Sequence, residues 1–193
     1  MGATMGWISK LAVLIALPLA AYAGDVADLA TQIEDALGKH DTGRALQAAD
    51  TIFMTAWNAT AGVGFTAALP VDGVPKAYGV YNPRKDTVYK VGEPIILYAE
   101  PFGYGYGQTT PGIFTIGFDV DLRVLGMDGA VVAEAPGVLA VGMESRHKNQ
   151  EFMADMTFNL GGLAPGMYKL ETTLRDKNSP KWGQFVTQVE VVE

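Results

Sequence analysis

The chain has no cysteine, and histidine is scarce, with 2 in 193 residues. The first absence excludes disulfide staples, thiol nucleophiles, disulfide exchange and thiolate metal sites, so stability must come from a packed core. Serine is rare as well. Beyond residue 23 only Ser145 and Ser179 occur. With His40 and His147 as the sole imidazoles, a Ser-His-Asp triad has little raw material. Ser145 and His147 stand two residues apart, but no third member or oxyanion site accompanies them. Basic residues are outnumbered, 14 Lys and Arg against 21 Asp and Glu, for a formal charge of −7. Such a chain lacks the basic footprint that holds nucleic acid or an anionic membrane surface. Long apolar runs are missing too. The run Leu11-Ala-Val-Leu-Ile-Ala-Leu17 is too short for a bilayer, which takes about 20 residues to cross.

The position of that run gives it another meaning. Lys10 precedes it, Pro18 breaks it, and Ala21-Tyr22-Ala23 stands before Gly24. A basic start, a brief apolar core and a small-x-small end form a secretory signal, expected over residues 1–23 with cleavage after Ala23. A buried core helix fits the starting position and the Ala-x-Ala ending less well. No Cys follows, which excludes a bacterial lipid anchor. Loss of 23 residues leaves 170 and takes the charge to about −8. The mature chain is therefore expected to be periplasmic or secreted, with no membrane span.

The mature sequence changes character near residue 60. Residues 24–58 are rich in Ala and carry helical spacing. Val26, Leu29, Ile33 and Leu37 form one apolar stripe, and Leu46, Ala49, Ile52 or Phe53, and Ala56 or Trp57 form a second. Gly38-Lys39-His40-Asp41 separates them. Gly38 suits a C-terminal cap, and Asp41 or Thr42 suits the next N-terminal cap. The reading is a short helical hairpin in which Trp57 belongs to a core. Ala45-Leu-Gln-Ala-Ala49 resembles half of a helical repeat, but no second copy follows. Residues 59–76, with Gly62, Gly64, Pro70, Gly73 and Pro75, read as a connector holding at most one short strand.

From residue 77 the period becomes two. Phe114, Ile116, Phe118, Val120, Leu122 and Val124 alternate with Thr115, Gly117, Asp119, Asp121 and Arg123, as in a strand with one wet face. Residues 151–160 put Phe152, Met156, Phe158 and Leu160 inward. Residues 166–176 put Tyr168, Leu170, Thr172 and Leu174 on one face. Further strands are expected over 94–100 and 183–192, and one over 130–146, kinked or split at Pro136-Gly137. Asp128-Gly129 is a hairpin turn signal. Many short strands with turns between them predict a mainly β fold over 77–193, an antiparallel sandwich preceded by the helical hairpin.

The stretch Leu160-Gly-Gly-Leu-Ala-Pro-Gly-Met-Tyr-Lys-Leu170, followed by a strand ending in Arg175-Asp176, resembles the E–F corner and F strand of bacterial immunoglobulin-like domains. Tyr168 takes the place of the corner tyrosine, whose hydroxyl bonds back to the backbone. Tyr89-Lys-Val-Gly-Glu-Pro-Ile-Ile-Leu97 resembles the entry into the B strand of such domains. Together with Tyr81-Asn-Pro-Arg84 and Glu100-Pro-Phe-Gly-Tyr104, the chain is similar to a set of exported bacterial proteins of unknown function. These join a short helical part to an immunoglobulin-like β-sandwich. The Cys pair and core Trp of antibody domains are absent. The resemblance implies a fold and no activity.

With strands lettered A to G, residues 94–100 are B, 113–125 C, 130–146 D, 151–160 E, 166–176 F and 183–192 G. The connections 101–112, 146–150 and 177–182 then meet at one end. They gather Tyr104, Tyr106 and Trp182 beside Arg146, His147, Lys148, Lys177 and Lys181. Aromatic faces and cations on a scaffolded loop end make a candidate recognition surface for an envelope protein or an anionic glycan. In the alternative, the two tyrosines cover the open end of the sandwich and the charges are solvated. The run Gly103-x-Gly105-x-Gly107 lacks the strand-to-helix context and the Lys-Ser/Thr of a phosphate loop. Met143, His147, Met153 and Met156 offer soft ligands of the kind that suit Cu(I), but Met is commonly adaptable core packing. Asp119 and Asp121 share a face, yet a general acid needs a cleft and a raised pKa. The expectation is a non-catalytic exported binding or interaction module without a metal or other cofactor, its ligand and oligomeric state left open. A copper-handling carrier, a periplasmic hydrolase and an inhibitor presenting residues 101–112 are the alternatives.

Overall fold

The computed structural model describes residues 19–193. They fall into two compact units, one ending at Met54 and one spanning Thr55–Glu193. Residues 1–18 of the expected signal peptide lie outside the described residues.

The first unit is helical. Helix α1 (Leu19–Gly38) runs into a tight turn and then α2 (Thr42–Ala59), whose last turn belongs to the second unit. The turn closes by paired backbone bonds: His40 N–H donates to Leu37 O at 3.1 Å and Asp41 N–H to Ala36 O at 2.8 Å. The left-handed residue of this cap is His40, with φ 58°, and not Gly38 as expected. Asp41 caps α2 as read, its Oδ1 accepting from Arg44 N–H at 3.1 Å. The predicted stripes hold in part: Val26, Leu29, Ile33 and Ile52 are half-buried and Trp57 is buried, but Leu37, Leu46 and Ala49 are exposed. Small residues are buried, Ala36 on α1 and Ala45 and Ala48 on α2, while Leu37, Leu46 and Phe53 are exposed.

The second unit is an immunoglobulin-like β-sandwich. Strand β1 (Gly64–Pro70) pairs with β3 (Ile95–Phe102), which pairs with β7 (Ala154–Phe158). This sheet starts inside the segment expected as a connector. The Gly and Pro content there hides a strand whose register with β3 shifts between Phe65 and Ala67. The larger sheet joins β2 (Val88–Lys90), β9 (Trp182–Val192), β8 (Gly166–Asp176) and β5 (Ile113–Gly126). β4 (Gly107–Thr110) pairs with the start of β5, and β6 (Val131–Ser145) pairs along it. Residues 130–146 thus form one strand, but it extends the sheet of β5. The Asp128-Gly129 turn folds it directly back on β5, which displaces it from the fourth position of the lettered scheme.

The core lies between the two sheets. Alternation places Ile116, Phe118, Val120, Leu122 and Val124 of β5, Leu170 and Leu174 of β8, and Met156 and Phe158 of β7 inside. Burying such side chains is worth roughly 1.5–3 kcal/mol each. The corner reading holds: Tyr168 Oη donates to Ala164 O at 2.9 Å. The outer face of the smaller sheet is covered by the irregular segment 71–87. Tyr98 Oη there accepts from Gly79 N–H at 2.7 Å and donates to Glu100 Oε1 at 2.6 Å, and Tyr81 packs on its ring. Opposite Val120 and Leu122, β6 bulges at residues 136–138, and Gly137 N–H turns in to Asp121 Oδ1 at 2.6 Å.

Candidate functional site

The three predicted loops do meet. Tyr104 and Tyr106 both donate to Asn149 O, at 3.0 and 2.8 Å, and Lys181 Nζ donates to Gly103 O at 2.8 Å. Their meeting produces an interior, however. Tyr104 is fully buried, packed edge-on against Trp57, Tyr106, Phe118 and Phe152, and its carbonyl accepts from Trp57 Nε1 at 2.8 Å. Burial pushes its phenol well above the usual tyrosine range. Tyr104 therefore cannot face a ligand, which corrects the sequence reading. Tyr106 is half-buried, stacked beside Trp57 with its hydroxyl spent on Asn149. Lys181 is corrected in the same way. Its ammonium also reaches Thr60 Oγ1 at 3.1 Å and the carbonyls of Asn58 and Trp57 at 3.3 and 3.4 Å, where α2 ends. A cation there satisfies carbonyls that the helix leaves without partners.

The glycine run has a packing reason. A Cβ at Gly105 would crowd Ser179 and Asp176, and one at Gly107 would overlap Asn178 and Thr115. Bare backbone lets the 177–181 turn close onto this loop. Asp176 is buried and accepts from Gly105 N–H at 2.6 Å, from Asn178 N–H at 2.9 Å and from the Ser179 hydroxyl. Residues 107–110 pair back on β5 as β4 and do not project as an inhibitor loop would.

Of the remaining predicted site residues, Arg146, His147 and Lys148 are exposed in the turn after β6. Lys148 Nζ lies 5.8 Å from the Tyr106 ring centre and 5.5 Å from that of Phe114. Trp182 is 58% exposed. Its backbone is nonetheless pinned from both sides: it pairs with Arg175 of β8, and its carbonyl accepts from Val63 N–H at 3.0 Å. The Met/His set is divided. Met156 is fully buried on β7 and registers with Leu97, whereas Met143 is half-buried on β6 of the other sheet, with Asn149 Nδ2 3.9 Å from its sulfur.

What the sequence reading missed is the outer face of the larger sheet. Cross-strand register sets Trp182, Arg175, Asp119 and Ala140 in one row over four strands. Next to that row Gly117 faces Gly142, the Lys177 stem packs against Gly117, and a shallow trough of about 590 Å³ opens there. Ala140, Thr115, Glu144, Lys177 and Asn178 rim it. Three ion pairs lie on this face. Arg175 grips Asp121 with two bonds, 2.8 and 2.9 Å, Lys177 meets Asp119 at 3.2 Å, and Arg123 meets Glu171 at 2.6 Å. The Arg175 guanidinium holds the Asp121 carboxyl below the usual carboxylate range, helped by the Gly137 N–H. That is the opposite of what a general acid needs. The signal available in the sequence was the 117/142 glycine pair, visible only once the β5–β6 register is known.

No family model matches the chain, and no curated protein matches it by sequence. Similar solved structures include CopC from Methylosinus trichosporium OB3b, at 15% identity and a TM-score of 0.27, covering 66% of this chain and 97% of that one. They also include the CARDB domain of a Pyrococcus furiosus protein, at 13% identity and a TM-score of 0.28, covering 69% of this chain and 98% of that one. At these values neither neighbour bears on what this chain binds. Among the described residues no helix is long and apolar enough to cross a membrane.

Proposed function

We propose that the chain is a non-catalytic, exported binding module of the cell envelope, and that its ligand lies across the outer face of the larger sheet. The observation that carries this reading is Trp182, an indole left in solvent on a backbone fixed by strand pairing and by Val63. A large aromatic anchor held in place before contact loses little conformational freedom on binding. The trough beside it supplies a concave continuation. The paired carboxylates support a binding role over catalysis, because Asp119 and Asp121 are committed to cations. The export signal over residues 1–23 supplies the compartment.

The test is capture from an envelope extract on immobilised protein, with Trp182→Ala and Ala140→Gln run beside the wild type. Both positions are exposed, so both variants keep the fold. A component retained by the wild type and lost by both variants upholds the reading. Equal retention by all three moves the site off this face.

A further inference from the structure

We infer that the ligand of this face is an uncharged, hydroxyl-rich chain, a neutral glycan, laid from Trp182 over Arg175 and Asp119 to the Gly117/Gly142 trough. This rests on the binding-face reading and adds its chemistry. The row from Trp182 to Ala140 crosses three strand spacings, about 14 Å at about 4.8 Å each, a span that suits a short oligosaccharide. At one end stands an exposed indole, whose apolar face suits the C–H face of a sugar ring. At the other end the Gly117/Gly142 pair carries no side chain, and the polar groups of Thr115, Lys177 and Asn178 stand around it.

Charge decides between neutral and anionic glycans. The cations nearest the row are already matched: Arg175 to Asp121, Lys177 to Asp119, Arg123 to Glu171 and, at 3.8 Å, to Glu134, while Lys169 lies farther along β8 opposite Leu125. Glu144 on the trough rim stands outside these pairs and repels an anion. Phosphate, sulfate or uronate groups would have to break ion pairs to be held. Sugar hydroxyls need not. Each both donates and accepts, and the paired groups remain open to solvent, Arg175 at 49%, Lys177 at 48% and Asp119 at 38% of their side-chain surface. Ion-paired carboxylates keep lone pairs to accept with, and the guanidinium and ammonium keep N–H groups to donate. Thr115 and Asn178 add neutral polar groups on the rim. Arg146, His147 and Lys148, which suggested an anionic glycan, lie in the turn beyond β6 and are not among the residues rimming the trough.

The experiment is affinity electrophoresis of the purified protein through gels containing one neutral polysaccharide each (laminarin, barley β-glucan, xyloglucan, starch, galactomannan). Dextran sulfate and polygalacturonate serve as anionic probes, and an envelope extract is run over immobilised protein in parallel. The expected result is retardation by at least one neutral probe that persists in high salt. Trp182→Ala and Ala140→Gln should each weaken it about tenfold or more. Salt-sensitive retardation by the anionic probes alone overturns the neutral class and leaves the binding face standing. So does Trp182-dependent capture of a protein with no polysaccharide bound. Retention that ignores both substitutions, or no retention of any polysaccharide together with no capture from the extract, overturns the glycan and the binding face together.

Discussion

The loop end of the sandwich and the outer face of its larger sheet are built from similar residues and use them in opposite ways. At the loop end, Tyr104 and Trp57 are buried in one aromatic cluster, and the Lys181 ammonium is surrounded by acceptors from Trp57, Asn58, Thr60 and Gly103. On the sheet face, Trp182 and Arg175 sit on paired strands and stay substantially open to water. Residue type does not separate cohesion from recognition here. Exposure does: Tyr104 is sealed inside with its hydroxyl bonded, whereas Trp182 and the paired Arg175 keep surface in water for a ligand to meet.

The largest expected effect lies at the loop end. Tyr104→Ala removes a fully buried ring from four aromatic contacts, and it should lower the unfolding free energy by about 3–5 kcal/mol, measured by urea denaturation. A loss under about 1 kcal/mol would mean that the ring is not core. Lys181→Met keeps the stem and removes the ammonium. With acceptors at the end of α2 and at Gly103 left unmet, it should cost about 1–3 kcal/mol, with little effect on capture by the sheet face.

Acid sharpens the other side of the comparison. Asp121 has its folded pKa lowered, chiefly by Arg175. Its contribution is therefore complete above the unfolded carboxylate value of about 4 and is lost as pH falls through the lowered folded value. Urea midpoints from neutral pH down to about 2 should fall for the wild type, and the gap between wild type and Asp121→Asn should close over that acid range. A gap that stays constant would show that the carboxylate charge is not what matters. The smallest effect on stability is expected at Trp182. Trp182→Ala should shift the midpoint by no more than about 0.5 kcal/mol in free energy while removing capture, and a larger loss would place the indole in the core account.

The fold was legible where a local rule spoke for itself. Strict alternation marked β5 and β8, Asp128-Gly129 marked the hairpin, and Pro-Gly-x-Tyr marked the corner that Tyr168 closes on Ala164. The meeting of the three loops was legible too, because strand order alone brings them to one end. The fate of the residues there was not. Tyr104 and Tyr106 are two apart in a glycine-rich run, and only the approach of the 177–181 turn decides which ring goes inside. Lys181 finds its acceptors 124 and 123 residues earlier, at the end of a helix. The helical stripes were legible in part: Val26, Leu29, Ile33, Ile52 and Trp57 are covered, but on α2 hydrophobicity pointed to Leu46 and Phe53 where Ala45 and Ala48 are buried. The trough depends on cross-strand register between Gly117 and Gly142, which side-chain periodicity does not encode.

The bulge of β6 carries a consequence for how this protein behaves in a crowd. β6 is a fifteen-residue strand, and among the described residues no strand pairs with its border away from β5. Such a border is a template on which other chains can nucleate. Pro136 has no amide hydrogen to offer, and Gly137 turns its own inward to Asp121. The ladder is thereby interrupted at residues 136–137. A chain that loses the Asp121 carboxylate should therefore polymerise sooner than the wild type at neutral pH, and the difference should close in acid as the wild-type carboxylate protonates.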